Sequence, residues 1–160
     1  MQVLSDHRWA TEFQWDIPAD PPPAQARGLG GCGVHNAMLY MRGRPEDFAA
    51  WGEGWSWRDV LPFYLRSENN QQLRDNELHG TSGPVHVTTV ESDNISRAFV
   101  ASCGAAGLRH NDDFNGRSGR DGAGYYQFMI RDGVRDSART TLARSLGDSA
   151  PADNCIERTS

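Results

Sequence analysis

Between Arg27 and Gly43 the chain reads RGLGGCGVHNAMLYMRG, with Gly28, Gly30, Gly31 and Gly33 packed into six positions ahead of a stretch with helical character. Glycine has no Cβ, so the backbone can turn sharply here and bring its N–H groups against a ligand. His35 and Asn36 sit where the turn passes into the next element, which puts an imidazole and a carboxamide beside it. On these residues alone two readings are open: a tight turn between packed elements, or a seat for a phosphate or a polarised ring.

Composition narrows the class. The 160 residues fit one domain, long enough to bury about 68–70% of the unfolded surface if complete. A net charge of −5 without a basic cluster excludes nucleic acid as a partner, because phosphates demand Lys and Arg on one face. No apolar run approaches the ~20 residues that span a bilayer. The opening MQVLSDHRWATEF lacks the apolar stretch of a signal peptide, so a soluble protein without membrane contact is expected. Cys32, Cys103 and Cys155 are three in number, which suits reduced thiols rather than a disulfide framework.

Along the chain, Met1 to Pro23 reads as an extended lead-in, since Pro21 to Pro23 lack amide donors and have fixed φ. A short helix is expected over Val34 to Met41, and a second from Pro45 through Asp47, Phe48 and Trp51. Ser56 and Asp59 have capping-box spacing for a third, with Trp57, Val60, Leu61, Tyr64 and Leu65 on its inner side. Trp51, Trp55, Trp57, Phe63 and Tyr64 read as helix packing rather than a ligand cage. Asn69 to Ser82 reads as loop, and VHVTTV from Val85 as a strand. Asn94 is placed to cap a helix carrying Ile95, Phe99 and Cys103, which Gly107 stops. A loop over Asn111 to Gly124, a strand around Tyr125 to Ile130, a turn at Asp132-Gly133 and a helix from Arg135 to Leu146 complete the expectation.

Read together, RGLGGCGVHNAMLYMRG, then Asp47, Phe48 and Trp51, GWSWRDVLPFYLRSENN (54–70), HGTSGPVHV (79–87), DFNG (113–116), GAGYYQF (122–128) and DGVRDSARTTL (132–142) resemble the glucose-methanol-choline (GMC) family of FAD-dependent alcohol oxidoreductases. Several motifs in the same order are far more specific than any one of them. The resemblance implies an α/β fold, an α+β piece of the FAD-binding domain with the start of the substrate domain. It assigns 1–78 to the FAD-binding region and 79–160 to a region continuing into the substrate-binding domain. It implies an FAD cofactor, an alcohol or choline-like small-molecule substrate, and hydride transfer to the flavin.

The cofactor-contact set that follows is Gly30, Gly31, Gly33, His35, Asn36 and Met38. His35-Asn36 follows Gly30-Gly31-Cys32 at the spacing seen in choline oxidases, whose histidine is covalently joined to the flavin. His35 is therefore read either as a covalent tether or as a ring packed on the flavin or bonded to backbone. HGTSGPVHV reads as structural in the family, and His7, His79, His86 and His110 match none of its catalytic positions. No catalytic residue is assigned. Cys32 and His35 form a C-x-x-H pair, but no second pair lies at suitable spacing, so no metal site is assigned. The resemblance lacks the family's GxGxxG strand–turn–helix before Arg27 and its carboxyl-terminal histidine. The expectation is an internal slice of a longer enzyme, inactive alone, with Trp51, Leu61 and Phe99 partly exposed. The alternative is a non-catalytic truncated product or remnant with at most weak flavin binding.

Overall fold

The computed structural model describes residues 15–18, 20, 25–74 and 77–146; the lead-in prolines Pro21 to Pro23 and Cys155 lie outside them. The chain divides into two units, residues 39–134 and residues 1–38 with 135–160.

In unit 39–134, local sequence signals set the helices. Pro45 opens α1 (Pro45–Ala49), with Asp47 accepting from the Arg44 amide at 2.8 Å. Ser56 precedes α2 (Trp57–Ser67), and the Asp59 carboxylate accepts from the Ser56 amide at 3.0 Å and its hydroxyl at 2.6 Å. The capping box thus forms as the spacing predicts. The inner stripe also holds: Val60 is buried and Trp57, Leu61, Tyr64 and Leu65 are half-buried. Phe48 of α1 meets Trp57 and Tyr64 of α2 at ring separations of 6.0 and 6.1 Å. Trp51 and Trp55 stack edge-on at 4.9 Å, so these aromatics pack on one another.

A three-stranded mixed sheet follows, with β1 (Glu68–Asn70) parallel to β2 (Val85–Thr89) and β3 (Gln127–Phe128) antiparallel to it. β1 falls partly in the segment read as loop; its polar residues hide the signal, because Glu68 and Asn70 point inward to partners rather than outward to water. The register Glu68↔Val85 and Asn70↔Val87 is held where a Cβ at Gly80 would lie 2.0 Å from the Leu65 carbonyl oxygen, so only glycine fits. α3 (Asn94–Ala105) is capped by Asp93 rather than Asn94: the Asp93 carboxylate accepts from the Ser96 amide at 2.8 Å. Gly107, at φ 89°, ends that helix as expected. Ile95 and Phe99 on α3 are 82% and 67% exposed, and Trp51 is 63% exposed. β4 (Ile130–Arg131) and β5 (Val134–Arg135) flank the Asp132-Gly133 turn. Both turn residues have positive φ, 50° and 77°, as a two-residue hairpin turn requires. The division between the units falls within β5.

The interior of this unit is ionic. Glu68, wholly buried, accepts from Arg42, from Asn70 Nδ2 at 2.9 Å and from the Gly80 amide at 2.9 Å. The His79 ring lies between two carboxylates, with Nδ1 2.9 Å from Glu68 and Nε2 3.0 Å from Asp113. Arg42 also donates to the Leu78 carbonyl at 2.7 Å and lies over the Tyr64 ring at 5.0 Å. Burial pushes His79 down, but hydrogen bonds to Asp113 and Glu68 and the charges of both outweigh it and raise its pKa to about 9. Burial likewise pushes Glu68 and Asp113 up, yet donation from His79 and the Arg42 charge, with Asn70 on Glu68 and the Asn115 amide on Asp113, holds both below the ordinary carboxylate range. At neutral pH two cations and two anions are enclosed together. The reading of the HG segment as structural matches this placement of His79.

Removing one member of such a group strands the others. His79→Leu is expected to destabilise the chain by about 3–5 kcal/mol in urea unfolding near neutral pH. With the folded His79 pKa above its unfolded value of about 6.5, its contribution is complete below that pH and is lost as pH rises through about 9. The unsubstituted chain should therefore weaken over that interval and His79→Leu should not; parallel profiles would contradict the protonated bridge.

Candidate cofactor site

In the unit of residues 1–38 with 135–160, the glycine segment folds into a 3-10 turn, Gly31–Val34. Gly30 and Gly31 take φ values of 96° and 53°, a region that other residues enter at a cost. Hydrogen bonds from the Gly31 amide to the Gly28 carbonyl (3.0 Å) and from the Asn36 amide to the Cys32 carbonyl (3.0 Å) close the bend. The expected helix over Val34 to Met41 is absent. His35 ends the turn, and the chain then runs extended, with Met38 in a left-handed conformation at φ 62°. The Asn36 side chain explains the break, since its Oδ1 accepts from the Met38 amide at 3.0 Å. Such a local bond competes directly with helix continuation.

The other wall comes from the segment before α4 (Ala138–Leu146). The helix begins at Ala138 and not at Arg135, because Asp136 and Ser137 are spent on its start. Asp136 accepts from Arg144 and, at 3.2 Å, from the Thr140 hydroxyl, while the Ser137 carbonyl accepts from the Thr141 amide at 2.9 Å. Arg135 is left facing the glycine turn. Its Nη1 donates to the Asn36 carbonyl at 2.6 Å and Asn36 Oδ1 at 2.8 Å, with the Gly33 carbonyl at 3.4 Å.

Each expected contact residue can now be located. A Cβ at Gly30 would lie 2.9 Å from Val34 Cγ1 and 3.0 Å from Arg139 Cβ, and one at Gly33 would touch Ser137 and Ala138 at 3.7 Å. Both glycines thus face protein. A Cβ at Gly31 or Gly28 would meet no described residue within 4 Å. His35 is half-buried, Met38 is half-buried and Asn36 is exposed. The five sequence positions Gly30, Gly31, Gly33, His35 and Asn36 share one bend, with Met38 at its exit. Arg135 escaped the sequence reading, as the pairing across about a hundred residues leaves no local signal. Two clefts of about 440 and 510 Å³ lie in unit 39–134, and none of these residues lines either. Among the described residues no helix is long and apolar enough to cross a membrane.

Residues 23–150 match the family described as GMC oxidoreductase. An alcohol dehydrogenase [acceptor] of Pseudomonas putida is 36% identical over 124 residues, covering 74% of this chain and 22% of the relative. An oxygen-dependent choline dehydrogenase of Yersinia pseudotuberculosis is 34% identical over 158 residues, 89% of this chain and 27% of the relative. Among solved structures, pyridoxine 4-oxidase from Mesorbium loti superposes with a TM-score of 0.67 at 28% identity, covering 82% of this chain and 26% of that one. An FAD-dependent oxidoreductase from Chaetomium thermophilum reaches 0.69 at 24% identity over 79% of this chain and 24% of that one, a likeness of fold. The chain spans about a quarter of the length of the relatives it matches.

The glycines differ in what they tolerate. Gly30→Ala should destabilise the chain most, by roughly 1–3 kcal/mol, since both φ and space oppose it. Gly31→Ala should cost about 1 kcal/mol from φ alone, and Gly28→Ala little. Thermal unfolding of the three variants checks the order, and equal losses would show that the bend is not the constraint.

Proposed function

The chain belongs to the GMC oxidoreductase family, and from that membership we propose that it contributes to the flavin-binding face of an FAD-dependent oxidoreductase acting on the CH–OH group of an alcohol or choline-like substrate. The observation that carries the reading is the glycine bend with Asn36 held beside it.

A flavin needs close backbone approach along its ring and donors for its polar edge. The fit is supported by Gly28 and Gly31, where a Cβ would meet no described residue, and by the state of Asn36. With Oδ1 accepting from Met38 and Arg135, its Nδ2 makes no hydrogen bond to a described residue and is left to donate outward. In this proposal Gly30 and Gly33 set the bend, Gly31 gives the approach, Asn36 donates to the ring's polar edge, and His35 and Met38 flank it. FAD held at this bend would supply the hydride acceptor for oxidation of the alcohol carbon. The functional division proposed for the chain keeps 1–78 on the cofactor side and continues from 79–160 toward the substrate, with residues 135–139 returning to the bend.

A second reading, a non-catalytic product with at most weak flavin affinity, is favoured by the exposed Trp51, Ile95 and Phe99. Titration of the 160-residue chain with FAD, followed by an alcohol-oxidation assay, separates the two: turnover ends the second reading. In a flavin-loaded protein carrying this chain, Asn36→Ala is expected to weaken FAD binding by about tenfold, the loss of one to two hydrogen bonds, and unchanged affinity would contradict the proposal. Acid precipitation distinguishes the two roles open to His35. Colour that stays with the pellet and moves to the supernatant in His35→Ala makes His35 the tether; colour in the supernatant from both makes it a packing contact.

A further inference from the structure

The Arg135 guanidinium reaches the glycine bend across 99 residues of sequence and bonds both the main chain and the side chain of Asn36. Resting on the flavin reading above, we infer that Arg135 is a positioning residue for the cofactor, acting through Asn36 by fixing which way its carboxamide points.

The argument is one of donors and acceptors. A guanidinium carries only donors, and so does a backbone amide. Asn36 Oδ1 receives both, from Arg135 Nη1 at 2.8 Å and the Met38 amide at 3.0 Å. Rotating the carboxamide by half a turn would set Nδ2 against two donors, so the orientation with Nδ2 outward is enforced. Without Arg135, the Met38 amide alone holds the oxygen, and it does so from a residue already in a left-handed conformation at φ 62°. Either orientation of the amide then becomes accessible, and a ligand must select one.

The same nitrogen also ties down the bend itself. It lies 2.6 Å from the Asn36 carbonyl and 3.4 Å from that of Gly33, so the last residues of the 3-10 turn and the carboxamide beyond it are clamped as one piece. Arg135 can do this because the helix after it starts late: Asp136 and Ser137 are committed to the first turn of α4, with Thr140 and Arg144 on Asp136. That fixed helix start anchors the segment from which Arg135 projects. All three contacts come from Nη1; a lysine ammonium also carries donors but sits at the end of a flexible stem and would keep only part of this clamp.

A double-substitution cycle with FAD tests this. Apoprotein is titrated with FAD for the unsubstituted protein, Arg135→Ala, Asn36→Ala and the double variant, and the visible absorption bands of bound flavin are recorded for each. Arg135→Ala should weaken FAD binding by roughly tenfold and shift the bands as Asn36→Ala does. In the Asn36→Ala background it should add less than about twofold. Arg135→Lys should fall between Arg135→Ala and the unsubstituted protein. If the two losses multiply, or the bands of Arg135→Ala match the unsubstituted protein, Arg135 does not act through Asn36 and the inference fails. If Asn36→Ala itself has no effect, it is the flavin reading that fails. If both Arg135 variants unfold, the residue holds the fold and the inference is likewise overturned.

Discussion

Four charges shut inside unit 39–134 govern how that unit is built. Arg42, Glu68, His79 and Asp113 come from four separate stretches of sequence and meet in the interior, with Asp113 at its margin, 16% exposed. A buried carboxylate without partners is so costly that the chain cannot settle until all four segments are in place. Glu68 is satisfied by Arg42, His79, Asn70 and the Gly80 amide, and that last contact demands a glycine pressed against β1. The loop at 113–116 is held by the same group, since His79 grips Asp113 while Asn115 bonds back to the Arg42 amide at 2.8 Å.

This explains the character of the core. The buried apolar residues of the unit are few, Phe48, Val60, Leu78 and Val87, against Arg42, Glu68, Asn70, His79, Asn111 and Gln127 on the polar side. Asn70 and Gln127 exchange side-chain hydrogen bonds at 3.0 and 3.2 Å and join β1 to β3 across the sheet. A polar interior of this kind adds little net stability over an apolar one, but it penalises every packing in which a partner is lost.

In the other unit a similar device appears at smaller scale. Arg135 bridges sequence-distant residues as Arg42 does, Arg42 through Nε, Nη1 and Nη2 and Arg135 through Nη1 alone. The difference is exposure. Arg42 closes an ionic interior, whereas Arg135 braces the glycine bend from the far end of the sequence.

Much of the architecture was legible in local chemistry. The capping box at Ser56, the stop at Gly107, the Asp132-Gly133 turn and the strand at Val85 each rest on a few adjacent residues, and all appear as read. The ordered motifs were enough to establish the family, and the glycine spacing with His35 and Asn36 marked the bend. What tertiary structure alone decided lies wherever a polar side chain found a distant partner. Glu68 and Asn70 look like loop residues until Arg42, His79 and Gln127 make β1 an interior strand. Val34 to Met41 looks helical until Asn36 bonds the Met38 amide and Arg135 secures it. Periodicity and propensity report what a segment does by itself, while a hydrogen bond between residues 36 and 135 exists only once the chain has closed, and its energy outweighs the local preference it overrides.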